Sequence, residues 1–99
     1  MTIQILAMTS LNIGAQDALN EYLSVVGPLM ESVGAKLTNR YEFSESVVGI
    51  NEFQFATLVE YPDQDAVTAV FGSKEYAALD QVKKVAFSKY QVSVVASVS

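Results

Sequence analysis

Arg40 has the side chain with the most distinctive chemistry in this chain. A guanidinium is planar, always charged, and able to grip a carboxylate through two parallel hydrogen bonds. Tyr22, Tyr41 and Tyr76 complement it. A phenol offers an apolar ring and one hydroxyl that donates or accepts. Tyrosines lining a pocket between helix and sheet can therefore orient a small aromatic or carbonyl-bearing ligand. These four residues are the candidate ligand-binding set. Each also has a plainer reading. Arg40 can form an edge-strand salt bridge with Glu42 or Glu60 that keeps a sheet soluble. The tyrosines can be core aromatics with their hydroxyls at the rim.

The means for catalysis are thinner. The chain has no histidine and no cysteine. That removes the commonest general base, the usual proximal haem ligand, thiolate chemistry, disulfides and cysteine-ligated zinc. Ser73 lacks the usual base for a nucleophile and reads as a helix N-cap. Glu42, Glu45, Glu52 and Glu60 do not fall at metal-ligand spacing and read as a solvated acidic surface. No catalytic residue can be named, and neither a metal nor a cofactor is implied.

Composition narrows the partners. A net charge of −5 argues against nonspecific nucleic-acid binding, which needs Lys and Arg to neutralise phosphates. It also argues against an anionic membrane surface. No apolar run reaches spanning length and the start lacks a basic leader, so a cytoplasmic location is the default expectation. Ninety-nine residues predict one domain over positions 1–99. Hydrophobic residues make up 51% and charged residues only 17%, which suggests more apolar surface than one small core can hide.

The elements that must position the candidates follow from periodicity. Thr2 to Ser10 is apolar on both faces, as in a central strand. A helix is predicted from about Ala15 to Val33, with one apolar stripe that includes Tyr22. Pro28 should kink it or start a new segment near Gly27. Gly34 suits the left-handed cap. Lys36 to Ser46 alternates, with Lys36, Thr38, Arg40, Glu42 and Ser44 on one face and Leu37, Asn39, Tyr41 and Phe43 on the other. Its polar face marks an edge strand. Val47 to Glu52 connects to a central strand from Phe53 to Tyr61, with Gly49 as the pivot. Pro62 ends that strand and Asp63 is a plausible N-cap. One short helix ends at Gly72, whose backbone is expected at positive φ. Ser73 caps a second helix carrying Tyr76, Leu79, Val82 and Val85, with Lys83, Lys84 and Lys89 towards its end. A valine-rich strand from Tyr90 to Ser97 closes the chain.

Four strands and two helices in the order βαββαβ predict an α+β, ferredoxin-like sandwich with strand order 4-1-3-2. The helices cover one sheet face. The apolar side chains on the other face of strands 1, 3 and 4 need a cover, and a second copy stacked sheet to sheet supplies it. The expectation is a homodimer, the dimeric α+β barrel.

Leu58-Val59-Glu60-Tyr61-Pro62, then Ala66, then Ser73-Lys74-Glu75-Tyr76 and Leu79 resemble the bacterial family called domain of unknown function 1330. Glu21-Tyr22, Pro28-Leu29, Gly34 and Arg40 are similar as well, so the likeness runs from Ile3 to about Ala96. There are departures. Phe71-Gly72 stands where the family often has an aromatic pair, Lys83 where it has arginine, and Tyr41-Glu42 where it often has glycines. The resemblance implies a dimeric α+β barrel and assigns no activity. Two functional classes follow. One is a protein that binds a small organic molecule in a helix–sheet or barrel pocket. The alternative, by fold analogy, is a cofactor-independent monooxygenase or isomerase acting on a small aromatic or polyketide-like substrate.

Overall fold

The computed structural model describes residues 2–96 and 98. The elements run β1 (Ile3–Leu11), α1 (Gln16–Ser32), β2 (Lys36–Glu42), β3 (Phe55–Tyr61), α2 (Gln64–Phe71), α3 (Lys74–Ala77), α4 (Asp80–Ala86) and β4 (Phe87–Val95). Every strand pairing is antiparallel, and the sheet order is β2-β3-β1-β4. This is the predicted ferredoxin-like arrangement, with β1 and β3 central and β2 at an edge. Ser97, the expected end of β4, lies outside the described residues.

The core forms where α2 meets the central strands. Ile5 of β1 and Val59 and Tyr61 of β3 pack with Ala66, Val67 and Val70 of α2. Directly paired residues project to the same side of a sheet. Ile5 pairs with Val59, so Leu6 with Leu58, and Met8 with Ala56, face the other way. One face thus carries the helices, and the opposite face presents an apolar strip.

Local chemistry explains the boundaries. Asp63 accepts a hydrogen bond from the Ala66 amide at 2.8 Å and caps α2. Ser73 does the same for α3 through the Tyr76 amide at 3.0 Å. At the end of α1, Gly34 takes φ +78, its amide reaches the Glu31 carbonyl and the Ala35 amide reaches the Met30 carbonyl. Those two bonds satisfy carbonyls that the helix leaves open, and the positive φ suits glycine.

Several expectations are corrected. α1 does not restart near Gly27; it runs through Pro28 as one helix. Gly27 and Pro28 lie on its exposed side, and so does Ser24, whose carbonyl loses its intrahelical donor to the proline. The second predicted helix is two pieces, α3 and α4, joined at Ala78 and Leu79. α4 stops at Ala86 because Asn12 captures its end. The Asn12 side-chain amide donates to the Val85 carbonyl at 2.9 Å and its backbone amide to the Ala86 carbonyl at 2.9 Å. Lys89 therefore sits in β4, not on a helix, and pairs with Glu52 at 2.8 Å. β2 ends at Glu42 and β3 begins at Phe55, so the connection is longer than predicted. It leaves Val47, Val48 and Ile50 exposed.

Gly72 does interrupt the helix, but its φ is −94. Glycine is required there by space rather than by a left-handed backbone. A Cβ at Gly72 would stand 2.8 Å from the Thr68 carbonyl oxygen, closer than real Cβ atoms come.

Candidate functional site

All of β2 is exposed, and α1 spans the sheet without closing the space on the β2 side. The result is a cavity of about 340 Å³ between α1 and the sheet. Ala7 and Thr9 of β1, with Phe55 and Thr57 of β3, form its floor. Leu19, Leu23 and Val26 of α1 form its roof. Leu37 and Arg40 stand at the β2 end; Tyr22, Phe87 and Tyr90 stand at the β4 end.

Arg40 reaches this cavity because β2 carries a bulge. Leu37 pairs with Val59 and Asn39 with Leu58, so Thr38 is one residue too many for the ladder. The Thr38 hydroxyl donates to the Leu58 carbonyl at 3.0 Å and holds the irregularity in place. An extra residue reverses the alternation beyond it. Arg40 then pairs with Thr57 and shares the helix-facing side with Leu37. Strict alternation sets those two residues on opposite faces.

The bulge has the opposite effect on Tyr41. It pairs with Ala56, points to the open sheet face and is 57% exposed, so it does not line the cavity. Glu60 lies opposite Lys36 and Gln4 rather than Arg40. Among the described residues Arg40 makes no ion pair with Glu42 or Glu60. Its guanidinium lies 5.0 Å from the centre of the Phe55 ring, a cation–π contact that holds the charge over the cavity floor. Among the described lining residues it carries the one formal charge.

The β4 end is built from aromatic rings. Tyr22 meets Phe87 edge-on, with centroids 5.1 Å apart and planes at 88°. Phe87 and Tyr90 lie 5.1 Å apart. The hydroxyls converge. Tyr22 and Tyr90 are joined by a 2.7 Å hydrogen bond, and Tyr76 and Tyr90 by another of 2.7 Å. Lys83 donates to the Tyr76 hydroxyl at 3.2 Å. Its ammonium lies 4.4 Å from the Tyr76 ring centre and 4.9 Å from that of Tyr90. Asp80 stands 4.0 Å from it on the solvent side. Tyr22 and Tyr90 line the cavity; Tyr76 and Lys83 stand behind them.

Burial sets the protonation of these phenols. It pushes Tyr22 up to about 12, against a smaller lowering by its bond to Tyr90. Burial, with the neighbouring hydroxyls, pushes Tyr90 up further still. Tyr61, 1% exposed and also on the cavity wall, is raised to about 12 by burial. At neutral pH these groups are hydrogen-bond donors, not phenolate bases. The lining contains no aspartate or glutamate.

Two of the four candidate residues, Arg40 and Tyr22, share the cavity. Tyr76 supports it from behind, and Tyr41 lies on the opposite face. Tyr90, Tyr61 and Lys83 also belong to the constellation, though sequence reasoning did not single them out as site residues. A signal existed for Tyr90, which is in phase with Val92 in β4. None existed for Lys83, because its role depends on how α3 and α4 turn.

The profile of the domain of unknown function DUF1330 matches residues 4–98. The chain belongs to this family. No curated protein matches it. Among solved structures, a protein of unknown function from Rhodopseudomonas palustris superposes with a TM-score of 0.82 at 17% identity, over 99% of this chain and 83% of that one. A dimeric ferredoxin-like protein of unknown function from Thermobifida fusca matches with a TM-score of 0.57 at 14% identity, over 97% and 91%. A cofactor-independent oxygenase from Streptomyces nogalater matches with a TM-score of 0.63 at 6% identity, over 99% and 94%. At these identities the likeness is one of fold. Among the described residues, no helix is long and apolar enough to cross a membrane.

Proposed function

We propose that this DUF1330 protein binds a small organic anion in the cavity between α1 and the sheet. One observation carries the reading: an apolar space of about 340 Å³ with Arg40 as its one lining charge, unpaired among the described residues. An exposed guanidinium that lies over the Phe55 ring, without a carboxylate partner among the described residues and next to apolar walls, favours a ligand with a carboxylate and a hydrophobic body. The expected outcome is that Arg40→Ala weakens binding of 2-naphthoate at least tenfold while the far-ultraviolet spectrum and thermal midpoint hold. Isothermal titration checks it, and equal affinity in the variant would refute the role of Arg40.

The catalytic alternative, a cofactor-independent monooxygenase or isomerase, draws on the likeness in fold to the Streptomyces nogalater oxygenase. Its difficulty is the lining. With no carboxylate there and with the phenols held protonated, the cavity favours holding a molecule over removing its proton.

The same reading has the protein act as a homodimer, as the neighbour from Thermobifida fusca is described, and we infer the open sheet face as its interface. Leu6, Met8, Ala56 and Leu58 form the apolar strip, with polar Gln4, Lys36, Glu60 and Ser93 around it. An apolar centre with a polar rim is the usual anatomy of a protein interface. Light scattering at micromolar concentration should give twice the chain mass, and Leu58→Glu should give a folded monomer. A folded monomer from the unmodified protein overturns the dimer.

A further inference from the structure

The hydroxyl chain has a direction. Each phenol carries a single hydrogen, and an ammonium only donates. Three hydroxyls joined by two hydrogen bonds use two hydrogens and leave one over. Lys83 decides where it is left. Its cation lies against the Tyr76 oxygen, so the Tyr76 hydrogen turns away from it, towards Tyr90. The spare hydrogen then belongs to Tyr90 or Tyr22, whichever donates less in their shared bond. Both residues line the cavity. Hydrogen bonds in a chain polarise one another, and a cation at one end makes the last donor stronger.

We infer that Tyr22 and Tyr90, driven by Lys83 through Tyr76, form an oxygen-binding end of the cavity opposite Arg40. The pocket then takes a flat aromatic molecule with a carboxylate at one end and a carbonyl or phenolic oxygen at the other. This rests on the binding reading above and adds the second polar contact and the ligand's length. Arg40 and Tyr90 stand on the two edge strands, three strand spacings apart. That sets their backbones on the order of 15 Å apart. Both side chains reach inward, which leaves room for a molecule of two fused rings. The floor between them is apolar, with Ala7 and the Phe55 ring. Tyr22 and Tyr90 would touch the ligand; Tyr76 and Lys83 are positioning residues.

Three probes separate the two ends: 6-hydroxy-2-naphthoate carries both groups, 2-naphthoate only the carboxylate and 2-naphthol only the hydroxyl. Binding is followed by ligand fluorescence. The expected result is that the intact protein prefers 6-hydroxy-2-naphthoate to 2-naphthoate by about fivefold, the worth of one hydrogen bond. Replacing both hydroxyls, by Tyr22→Phe with Tyr90→Phe, should erase that preference, so that the two acids bind equally. Lys83→Gln should reduce the preference, and Lys83→Arg should restore it. A purely structural lysine would instead lower the affinity for both acids together. Arg40→Ala should weaken both acids more than 2-naphthol. Equal binding of the two acids by the intact protein overturns the hydroxyl end while leaving the Arg40 reading intact. So does a preference that survives in the double phenylalanine variant. If neither acid binds, the binding reading fails and this inference falls with it.

Discussion

Two clusters close the space between helices and sheet, and they do so by different chemistry. Under α2 the cluster is mainly aliphatic: Ile5, Val59, Val67 and Val70, with Ala66 and the ring of Tyr61. Beside α3 and α4 it is aromatic, with Tyr22, Tyr76, Phe87 and Tyr90 around Val26 and Leu79. Aliphatic side chains bring no polar atoms, so that half can close without further conditions. Phenols bring a hydroxyl each, and a buried hydroxyl must find a partner. In the aromatic half the hydroxyls find one another and Lys83. The two halves adjoin on one sheet face, and Ile5, Val59 and Tyr61 of the aliphatic cluster also line the cavity. The aliphatic half secures the central strands, and the aromatic half shapes the end of a cavity.

The largest test of that division is Tyr61→Ala. Tyr61 is buried among Ile5, Val67 and Val70, and removing its ring should cost about 3–5 kcal/mol of unfolding free energy. Urea denaturation followed by circular dichroism measures it. A loss well under 1 kcal/mol would mean that the aliphatic half does not anchor the fold, and the comparison would break.

Gly72→Ala probes the junction between the two halves. The new methyl would meet the Thr68 carbonyl oxygen, a backbone atom that cannot swing aside. Overpacking of this kind costs about 1–3 kcal/mol. Because φ at Gly72 is −94, no left-handed strain adds to it. A neutral outcome in the same denaturation experiment would show that the Gly72–Ser73 turn shifts freely, and that α2 and α3 are less tightly coupled than their spacing suggests.

The sequence carried much of the first half and little of the second. Hydrophobic runs on both faces of β1 and β3 marked them as central, and the polar alternation of Lys36 to Glu42 marked an edge. Those are burial patterns, and burial follows period. The caps at Asp63 and Ser73 were legible because their side chains bond within three residues. The cavity was not legible, for two reasons. The bulge at Thr38 depends on which β3 residues it opposes, and a one-residue slip exchanges Arg40 and Tyr41 between faces. The lysine–tyrosine chain joins α1, α3, α4 and β4, and no local spacing records such a meeting. Lys83 looked like one of several cations at a helix end, although its ammonium lies against two tyrosine rings.

The smallest expected effect gives the sharpest comparison, because one residue type occurs in both clusters. Tyr22 and Tyr61 are both raised by burial from an ordinary value of 10.0 to about 12. Below pH 10 both phenols are protonated whether the chain is folded or not, and their contribution is complete. Between about 10 and 12 the unfolded chain releases those protons and the folded one retains them. The native state then binds more protons than the unfolded state, so stability falls as pH rises and the contribution is lost through pH 12. Tyr22→Phe and Tyr61→Phe should each make that alkaline decline shallower. At pH 7 the two should part company. Tyr22 gives up its bond to Tyr90, worth about 1 kcal/mol. Burial and the neighbouring Tyr76, not a hydrogen bond, raise Tyr61, and the loss of its hydroxyl should cost close to zero. Thermal melts of both variants at pH 7 and across pH 9–12 would decide. Equal costs at pH 7 would mean that the hydroxyl chain adds nothing to stability, and that the two halves differ only in the shape of their side chains.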